Sequence, residues 1–108
     1  MRHQGANVHE LARIEMLAGL PGQTLGRLAE RMERQVLSPG ESSDVGGDLV
    51  AILNGLAHAT DAHGGRDTAE PGSVLDEGAV KLRALTPLTV ARCPRSTFEE
   101  LAGSPTDA

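Results

Sequence analysis

Histidine, cysteine and carboxylate side chains are the residues of this 108-residue sequence that could perform chemistry. His58, Asp61 and His63 lie close together in the sequence and belong to residue types that bind Zn²⁺. A zinc site also needs three or four ligands and hydrogen-bond partners behind them, and the neighbouring residues are mostly alanines. We therefore predict solvent-exposed histidines here, as at His3 and His9, and no metal site.

Nucleophilic catalysis is the second chemistry to consider. Cys93 is the single cysteine, and no oxyanion-hole motif or triad partner accompanies it, so a small buried side chain is predicted. Ser42-Ser43-Asp44 lacks the strand-turn-helix setting of a nucleophile elbow. Neither Gly46-Gly47 nor Gly64-Gly65 is followed by the lysine and hydroxyl residue of a phosphate-binding loop. The sequence predicts no enzyme, no catalytic residue and no cofactor.

Two helices are predicted near the N-terminus. Apolar residues recur at helical spacing from Val8 to Ala18, and residues 19–22 end that segment. Thr24 is placed to cap a second helix that runs to about Met32. Apolar residues of the two helices that do not pack on the barrel would form an interface with a partner. The alternative is that all of these residues belong to the core. The residues concerned are Ile14, Met16, Leu17, Leu20, Leu25, Leu28 and Met32.

Strands are predicted after the helices, where the apolar spacing changes towards a period of two. Asn54-Gly55 separates two apolar runs and predicts a hairpin with a type I′ turn. Ser96 or Thr97 is predicted to cap a short closing helix. The predicted strands are residues 34–37, 49–53, 56–60, a short strand before residue 70, 79–85 and 88–93. The predicted turns and loops are residues 38–41, 42–48, 61–67 and 71–72.

The order of these elements predicts the fold class and the domain organisation. Helices first, strands next and a helix last favour an α+β, mainly β fold. We predict a small antiparallel β-barrel or jelly roll with two N-terminal helices and a short C-terminal helix. One domain covers residues 1–108, with helices at about 8–32, the barrel at about 33–94, a closing helix at about 96–102 and a loose tail.

Composition excludes several classes of partner. The 15 acidic and 10 basic residues give a net charge of -5, and there is no run of lysine or arginine to neutralise phosphates. Phe98 is the one aromatic residue, so nucleic-acid bases have almost nothing to stack on. No apolar stretch reaches the roughly 20 residues of a membrane helix. The N-terminus does not lead into an apolar signal segment, so we expect a cytoplasmic protein with no nucleic-acid or membrane partner.

Five segments in the right order resemble the cyclic nucleotide-binding domain family of catabolite-activator-type regulators, kinases and channels. "IEMLAGLPGQTLGRLAERM" resembles the opening helices, and "RQVLSPGE" resembles the first strand and its turn. "GGDLVAILNGLAHA" is similar to the family's "G....Y.IL.G.V.V" segment, and "EPGSVLDE" resembles its "PGD.FGE" turn. "RALTPLTVARCPRSTFEEL" resembles the closing strands and helix. The resemblance implies the jelly-roll fold over the whole length.

The family's ligand is held by a phosphate-binding cassette, and the resemblance implies that this chain lacks most of it. After the "PGD" turn the family has a glutamate that binds ribose, a short helix whose N–H groups face the phosphate, and an arginine. Glu77 matches the glutamate, and Gly78 alone separates it from residues 79–85, which resemble the strand after the arginine. No residues remain to form the helix and the arginine.

A second alignment keeps the cassette but still loses the arginine. It places residues 77–80 on the cassette helix, with Thr86 at the arginine position and Asp76 at a glycine position. A neutral hydroxyl cannot replace a guanidinium, and an acidic side chain repels a phosphate. Lys81 and Arg83 could substitute only by turning towards the ligand, but successive strand positions face opposite sides of a sheet and lysine lacks the planar fork of arginine.

Two functions follow as hypotheses from the resemblance. The first is a stand-alone cyclic nucleotide-binding-like domain that has lost nucleotide binding and acts as a regulatory or structural protein-interaction module, through a protein partner or self-association. The alternative is a small-molecule sensor that binds cAMP, cGMP or another ligand in a remodelled barrel pocket, with Glu77, Gly78, Lys81 and Arg83 as its ligand-binding residues. Direct DNA contact is not expected, because the helix-turn-helix domain of the family's regulators does not follow the closing helix.

Overall fold

The computed structural model describes residues 8–75 and 78–103, so His3, the pair Asp76-Glu77 and the predicted tail lie outside the described residues. The helices are α1 (Val8–Leu11), α2 (Gly22–Arg31) and α3 (Arg95–Phe98), and a π-helical turn, Glu99–Gly103, follows α3. The strands are β1 (Glu33–Leu37), β2 (Ser42–Asp44), β3 (Asp48–Asn54), β4 (Ala57–Asp61), β5 (Arg66–Ala69), β6 (Ala79–Ala84) and β7 (Leu88–Pro94).

The strands form two antiparallel sheets that pack face to face. One sheet has the order β1-β7-β3, and the other has the order β2-β6-β4-β5. The fold is mainly β within the α+β class, a sandwich of the jelly-roll type with short helices, which confirms the predicted fold class.

Two apolar clusters hold three layers together. The first lies between the two sheets, and the second lies between the helices and the outward face of the three-stranded sheet. The first contains Leu37, Val45, Val50, Ile52, Ala57, Ala69, Leu75, Ala79, Leu82, Ala84, Leu88 and Val90. The second contains Leu11, Ile14, Leu17, Leu25, Leu28, Ala29, Met32, Leu49, Ala51, Ala91 and Cys93. The three-stranded sheet is therefore the middle layer, and its strands β3 and β7 are covered on both faces.

The predicted Asn54-Gly55 hairpin is wrong. β3 pairs with β7, whereas β4 pairs with β5 and β6, so Asn54-Gly55 carries the chain from one sheet to the other. Residues 49–52 of β3 are all buried, as a strand of the middle layer must be. β4 alternates alanine and polar residues, with His58 and Thr60 facing outwards, and only Ala57 is fully buried, so it belongs in the outer sheet. Burial of whole strand faces outweighs the local turn preference.

The first helix is shorter than predicted, and the predicted side-chain caps do not form. α1 ends at Leu11, and a series of turns follows it. Buried residues recur every three positions along this segment, at Leu11, Ile14 and Leu17. α2 and α3 each follow an extended proline, Pro21 and Pro94, with no side-chain cap hydrogen bond. These two helices therefore start before Thr24 and before Ser96, because the residue after each proline already begins the first turn.

The predicted loop at residues 42–48 is wrong in part, because Ser42–Asp44 forms β2 and pairs with β6. The predicted break at residues 61–67 is narrower than expected, since β4 and β5 form a hairpin around residues 62–65. The turns at residues 38–41 and 71–72 and the strands at residues 79–85 and 88–93 are confirmed to within one residue.

Most of the apolar set on the N-terminal segment is core. Met16 is 51% exposed and Leu20 is partly buried, while the other residues of that set are buried in the second cluster. This favours the core alternative over a broad apolar interface on this face. In the part of the chain that the structure describes, no helix has the length and apolarity needed to cross a membrane.

Candidate functional site

A cavity of about 620 Å³ opens between the inner face of the four-stranded sheet and a segment that contributes residues 73–75 and Gly78. Its apolar wall is formed by small side chains on three strands together with two residues of the turn segment. These residues are Ala59, Ala69, Ala79, Val74 and Leu75. The cavity exists because alanines, which carry a single methyl group, do not fill the space between the sheet and that segment. Its volume is in the range of small-molecule pockets in proteins.

The charged groups at the cavity are mostly acidic. Among the described lining residues, Asp61 and Asp67 carry carboxylates and Arg66 carries the one guanidinium. Asp61 Oδ1 accepts hydrogen bonds from the backbone N–H groups of His63 (2.9 Å) and Gly65 (2.8 Å), which hold the β4–β5 turn. Asp67 lies opposite Ala59 and shares the cavity side of the sheet. An anionic ligand would meet more negative than positive charge here.

The segment that follows the Pro71-Gly72 turn is bound to the edge of β3. The Gly72 N–H donates to the Ile52 carbonyl and the Ile52 N–H donates to the Ser73 carbonyl, both at 2.9 Å. The Leu75 N–H donates to the Val50 carbonyl at 3.0 Å. Residues 72–75 are therefore extended along a strand, and β6 begins at Ala79. None of the described residues between Gly72 and Ala79 is helical.

The predicted ligand-binding residues are divided between two faces of β6. Gly78 lines the cavity, and Glu77 lies outside the described residues. Lys81 and Arg83 lie two positions apart on β6, so both face the same way, opposite to the buried Leu82. That direction is the outer surface of the sheet, where they line a separate groove of about 300 Å³. The structure brings Gly78 to the cavity and keeps the two cations away from it.

Arg92 is a structurally important residue that sequence reasoning missed. It lies on β7 in phase with Leu88 and Val90, so its guanidinium enters the end of the sandwich and its side chain is only 14% exposed. The single cue in the sequence is an arginine at the inward-facing phase of an apolar strand. Its five acceptors are Asp48 Oδ2 (2.9 Å), Gln35 Oε1 (2.9 Å), Ser43 Oγ (3.2 Å) and the carbonyls of Asp44 (2.7 Å) and Val45 (2.9 Å).

These contacts use the full donor capacity of the arginine side chain, which has five N–H groups. They join strands of both sheets at this end of the sandwich: β1 through Gln35 and the start of β3 through Asp48 in one sheet, and β2 through Ser43 in the other. Arg92 thereby connects the two sheets by hydrogen bonds at the end of the apolar core. Arg92 has no N–H group left to clamp a phosphate.

Cys93 is 2% exposed and lies in the cluster beneath the helices, which confirms the prediction of a small buried side chain. Burial and, to a smaller extent, the carboxylate of Asp48 raise the pKa of its thiol from 9.0 to about 11. Arg95 and the backbone of Phe98 act in the opposite direction. Because the thiolate is the reactive form, the folded protein keeps Cys93 unreactive.

We expect Cys93 to react with Ellman's reagent at about pH 8 at least about 100-fold more slowly in the native protein than in the unfolded protein. Its raised folded pKa also favours folding below pH 9.0, and that contribution is lost as the pH rises through about 11. Cys93→Ala should therefore flatten the loss of stability in this alkaline range. Equal reaction rates with and without denaturant would contradict the buried position.

His58, Asp61 and His63, the residues considered for metal binding, do not come together in the structure. His58 lies on the outer face of β4, while Asp61 lines the cavity and uses its carboxylate to accept from the backbone of His63. Within residues 8–75 and 78–103, no three His, Cys, Asp or Glu side chains converge as a metal site would require.

Comparison with solved structures places this architecture among known folds. The regulatory domain of Toxoplasma gondii PKA, solved with cAMP, matches with a TM-score of 0.71 and 18% identity, over 87% of this chain and 43% of that chain. The regulatory subunit of a cAMP-independent protein kinase A from Trypanosoma cruzi, bound to guanosine, matches with a TM-score of 0.69 and 23% identity, over 87% and 40%. A cyclic nucleotide-binding-like protein from Brucella abortus matches with a TM-score of 0.59 and 21% identity, over 87% and 95%.

The fold is that of cyclic nucleotide-binding-like domains, which confirms the fold implied by the five sequence segments. This chain spans about two fifths of the length of the kinase regulatory structures and nearly the whole length of the Brucella protein. No protein-family model matches the sequence, and no curated protein matches it.

Proposed function

We propose that this cyclic nucleotide-binding-like domain does not hold a cyclic nucleotide and acts through protein contacts, as a regulatory or structural module. One observation carries the proposal. The described residues that follow the Pro71-Gly72 turn are paired with β3 or lead directly into β6, where the family's cassette helix and arginine would be needed. A cyclic phosphodiester is a full negative charge that requires donors of this kind.

The charges around the cavity support the same proposal. Arg66 is the one cation among the described lining residues, and it lies on the edge strand with its side chain on the face of the sheet opposite to that of Asp67. Other arginines near this end of the molecule are already engaged. Arg92 donates to five acceptors, and Arg95 donates to the carbonyl of Leu75 at 3.2 Å.

The similar proteins support a regulatory role without catalysis. Two of them are regulatory parts of protein kinase A, and the third is a cyclic nucleotide-binding-like protein. We propose that its contacts are with a protein partner or with a second copy.

A neutral small ligand is the second candidate, and the cavity itself favours it. The apolar wall of alanines could accept a flat ring. A neutral ligand would not be repelled by the carboxylates of Asp61 and Asp67. The Trypanosoma cruzi structure is bound to guanosine, a nucleoside without a phosphate. In this version of the function the domain is a sensor whose pocket was remodelled for an uncharged molecule.

Isothermal titration calorimetry with cAMP, cGMP, guanosine and adenosine separates these possibilities. We expect no saturable heat with either cyclic nucleotide, so any dissociation constant is weaker than about 1 mM. Asp67→Asn is the matched variant, because it removes a cavity carboxylate without changing shape. It should still fail to bind cAMP, since the missing cassette and not the carboxylate is decisive.

Micromolar binding of cAMP or cGMP by the unmodified protein would overturn the proposal. Binding of guanosine or adenosine alone would instead establish the sensor alternative. A thermal unfolding curve of the same sample shows that the protein is folded, and a ligand that binds raises the midpoint.

A further inference from the structure

The outer face of the four-stranded sheet carries a concentration of positive charge, from Lys81 and Arg83, which do not line the cavity, and from Arg66, which borders both surfaces. We call this surface the basic face. It consists of Ser42 and Asp44 on β2, His58 and Thr60 on β4, Arg66 and Thr68 on β5, and Lys81 and Arg83 on β6. Six of its residues line the groove of about 300 Å³, together with Gly64 of the β4–β5 turn: Ser42, His58, Thr60, Arg66, Lys81 and Arg83.

Strand pairing arranges these side chains in two rows that cross the sheet. In the first row Thr60 lies between Arg66 and Lys81, and Asp44 follows Lys81. In the second row His58 is paired with both Thr68 and Arg83, and Ser42 follows Arg83. Directly opposed residues of antiparallel strands share one face, so all of these side chains are directed outwards.

The cations of the basic face are available for a partner. Arg66, Lys81 and Arg83 are all exposed, and none of them forms an ion pair with a described carboxylate. Asp44 is the one acidic residue in the two rows, so the face is positive although the whole chain has a net charge of -5. Such segregation of charge orients a partner of opposite sign and raises its rate of association.

The geometry points to the basic face as the docking surface for an acidic, extended segment of a partner protein, and this inference rests on the proposed protein-interaction function. Lys81 and Arg83 are two residues apart on a strand, about 6.6 Å along its axis. Acidic residues at alternate positions of an extended segment have the same spacing. Arg66 lies two strands away, about 10 Å across the sheet, and receives a third carboxylate.

A protein segment fits this surface better than nucleic acid does. The basic face has three full cations and no Phe, Tyr or Trp, whereas single strands are bound by longer basic tracks with such rings to stack on the bases. Threonine, serine and histidine between the cations add hydroxyl and imidazole groups that bind carboxylates and peptide carbonyls.

Fluorescence anisotropy with the full chain and a labelled peptide of alternating glutamate and serine tests the inference. The expected result is saturable binding that weakens at high salt, and the same peptide with glutamine in place of glutamate should not bind. The double variant Lys81→Glu/Arg83→Glu should weaken binding by at least about tenfold. Arg27→Glu/Arg31→Glu is the matched control, because it makes the same charge change at exposed positions of α2 and should retain more of the affinity.

Several outcomes would overturn the inference: no binding of the acidic peptide, equal losses in the two double variants, or tighter binding of a single-stranded oligothymidine than of the peptide. Loss of a dimer in light scattering on charge reversal would show instead that a second copy occupies the face. If the double variant is unfolded by circular dichroism, Arg66→Glu replaces it at the edge strand. Calorimetry with cyclic nucleotides is independent of this face, so cAMP binding would reject the proposed function without deciding the result of the peptide experiment.

Discussion

Replacing Arg92 with methionine should lower the free energy of unfolding by about 2 to 4 kcal/mol, a large part of the 5 to 15 kcal/mol typical of a domain. Methionine keeps an unbranched side chain at a largely buried position but donates no hydrogen bond. Asp48, Gln35 and Ser43 would lose their common donor, together with two backbone carbonyls. Leaving such groups buried and unsatisfied is more costly than the bonds are favourable.

Arg92→Lys should recover only part of this loss. A lysine retains the attraction to Asp48, but three donors from one nitrogen cannot reach five acceptors arranged around a planar fork. Urea titration followed by circular dichroism gives the free energies of all variants.

Arg34→Met is the matched control for Arg92→Met. Arg34 is on the neighbouring strand β1 and forms an ion pair with Glu10, but its side chain is 36% exposed. Exposed pairs of this kind contribute at most about 1 kcal/mol, so the control should remain close to the unmodified protein. A similar stability for the two methionine variants would contradict the role assigned to Arg92.

Gly55→Ala should destabilise the fold by about 2 to 5 kcal/mol for two separate reasons. The backbone of Gly55 has a φ of 92°, which side chains of L-residues rarely adopt. A Cβ atom at this position would also lie 2.1 Å from the Pro87 carbonyl oxygen and 3.0 Å from the Leu88 Cα. The clash is with backbone, which cannot rotate away, at the point where the chain passes from one sheet to the other.

Gly40→Ala separates the steric contribution from the conformational one. Gly40 has a similar φ of 87°, and a Cβ atom there would meet nothing within 4 Å. We expect a loss of about 1 to 2 kcal/mol for this control, which reflects the positive φ alone. Thermal and urea unfolding of both variants provide the comparison. Equal destabilisation of the two variants would contradict a steric contribution from residues 87 and 88 to the loss of stability in Gly55→Ala.

These two sites explain how a chain with one aromatic residue maintains two packed sheets. The first apolar cluster contains several alanines, so its burial contributes less per residue than a core of larger side chains. Arg92 closes one end of the sandwich, and the tight passage at Gly55 closes the other, where Leu56 donates its N–H to Thr86 Oγ1 at 3.0 Å. The same alanines leave the cavity open beside the four-stranded sheet.

Sequence patterns predicted the secondary-structure elements whose position follows from local conformational preferences and from the burial of one face of the element. Period-two spacing located β6 and β7, and the 3.6-residue period located α2 with its buried Leu25 and Leu28. The order of the five segments predicted the fold correctly. The shortness of the segment between the Pro71-Gly72 turn and β6 was also visible in the sequence, and it remains the basis of the proposed function.

Tertiary structure decided which strands are neighbours and therefore which side chains meet. Asn54-Gly55 has the residues of a hairpin turn, yet β3 and β4 lie in different sheets, because only a middle-layer position buries both faces of β3. Arg66 and Lys81 are 15 positions apart and become neighbours in one row through β4. Which strands pair depends on the apolar surface that the whole chain buries, and a local sequence pattern does not contain that information.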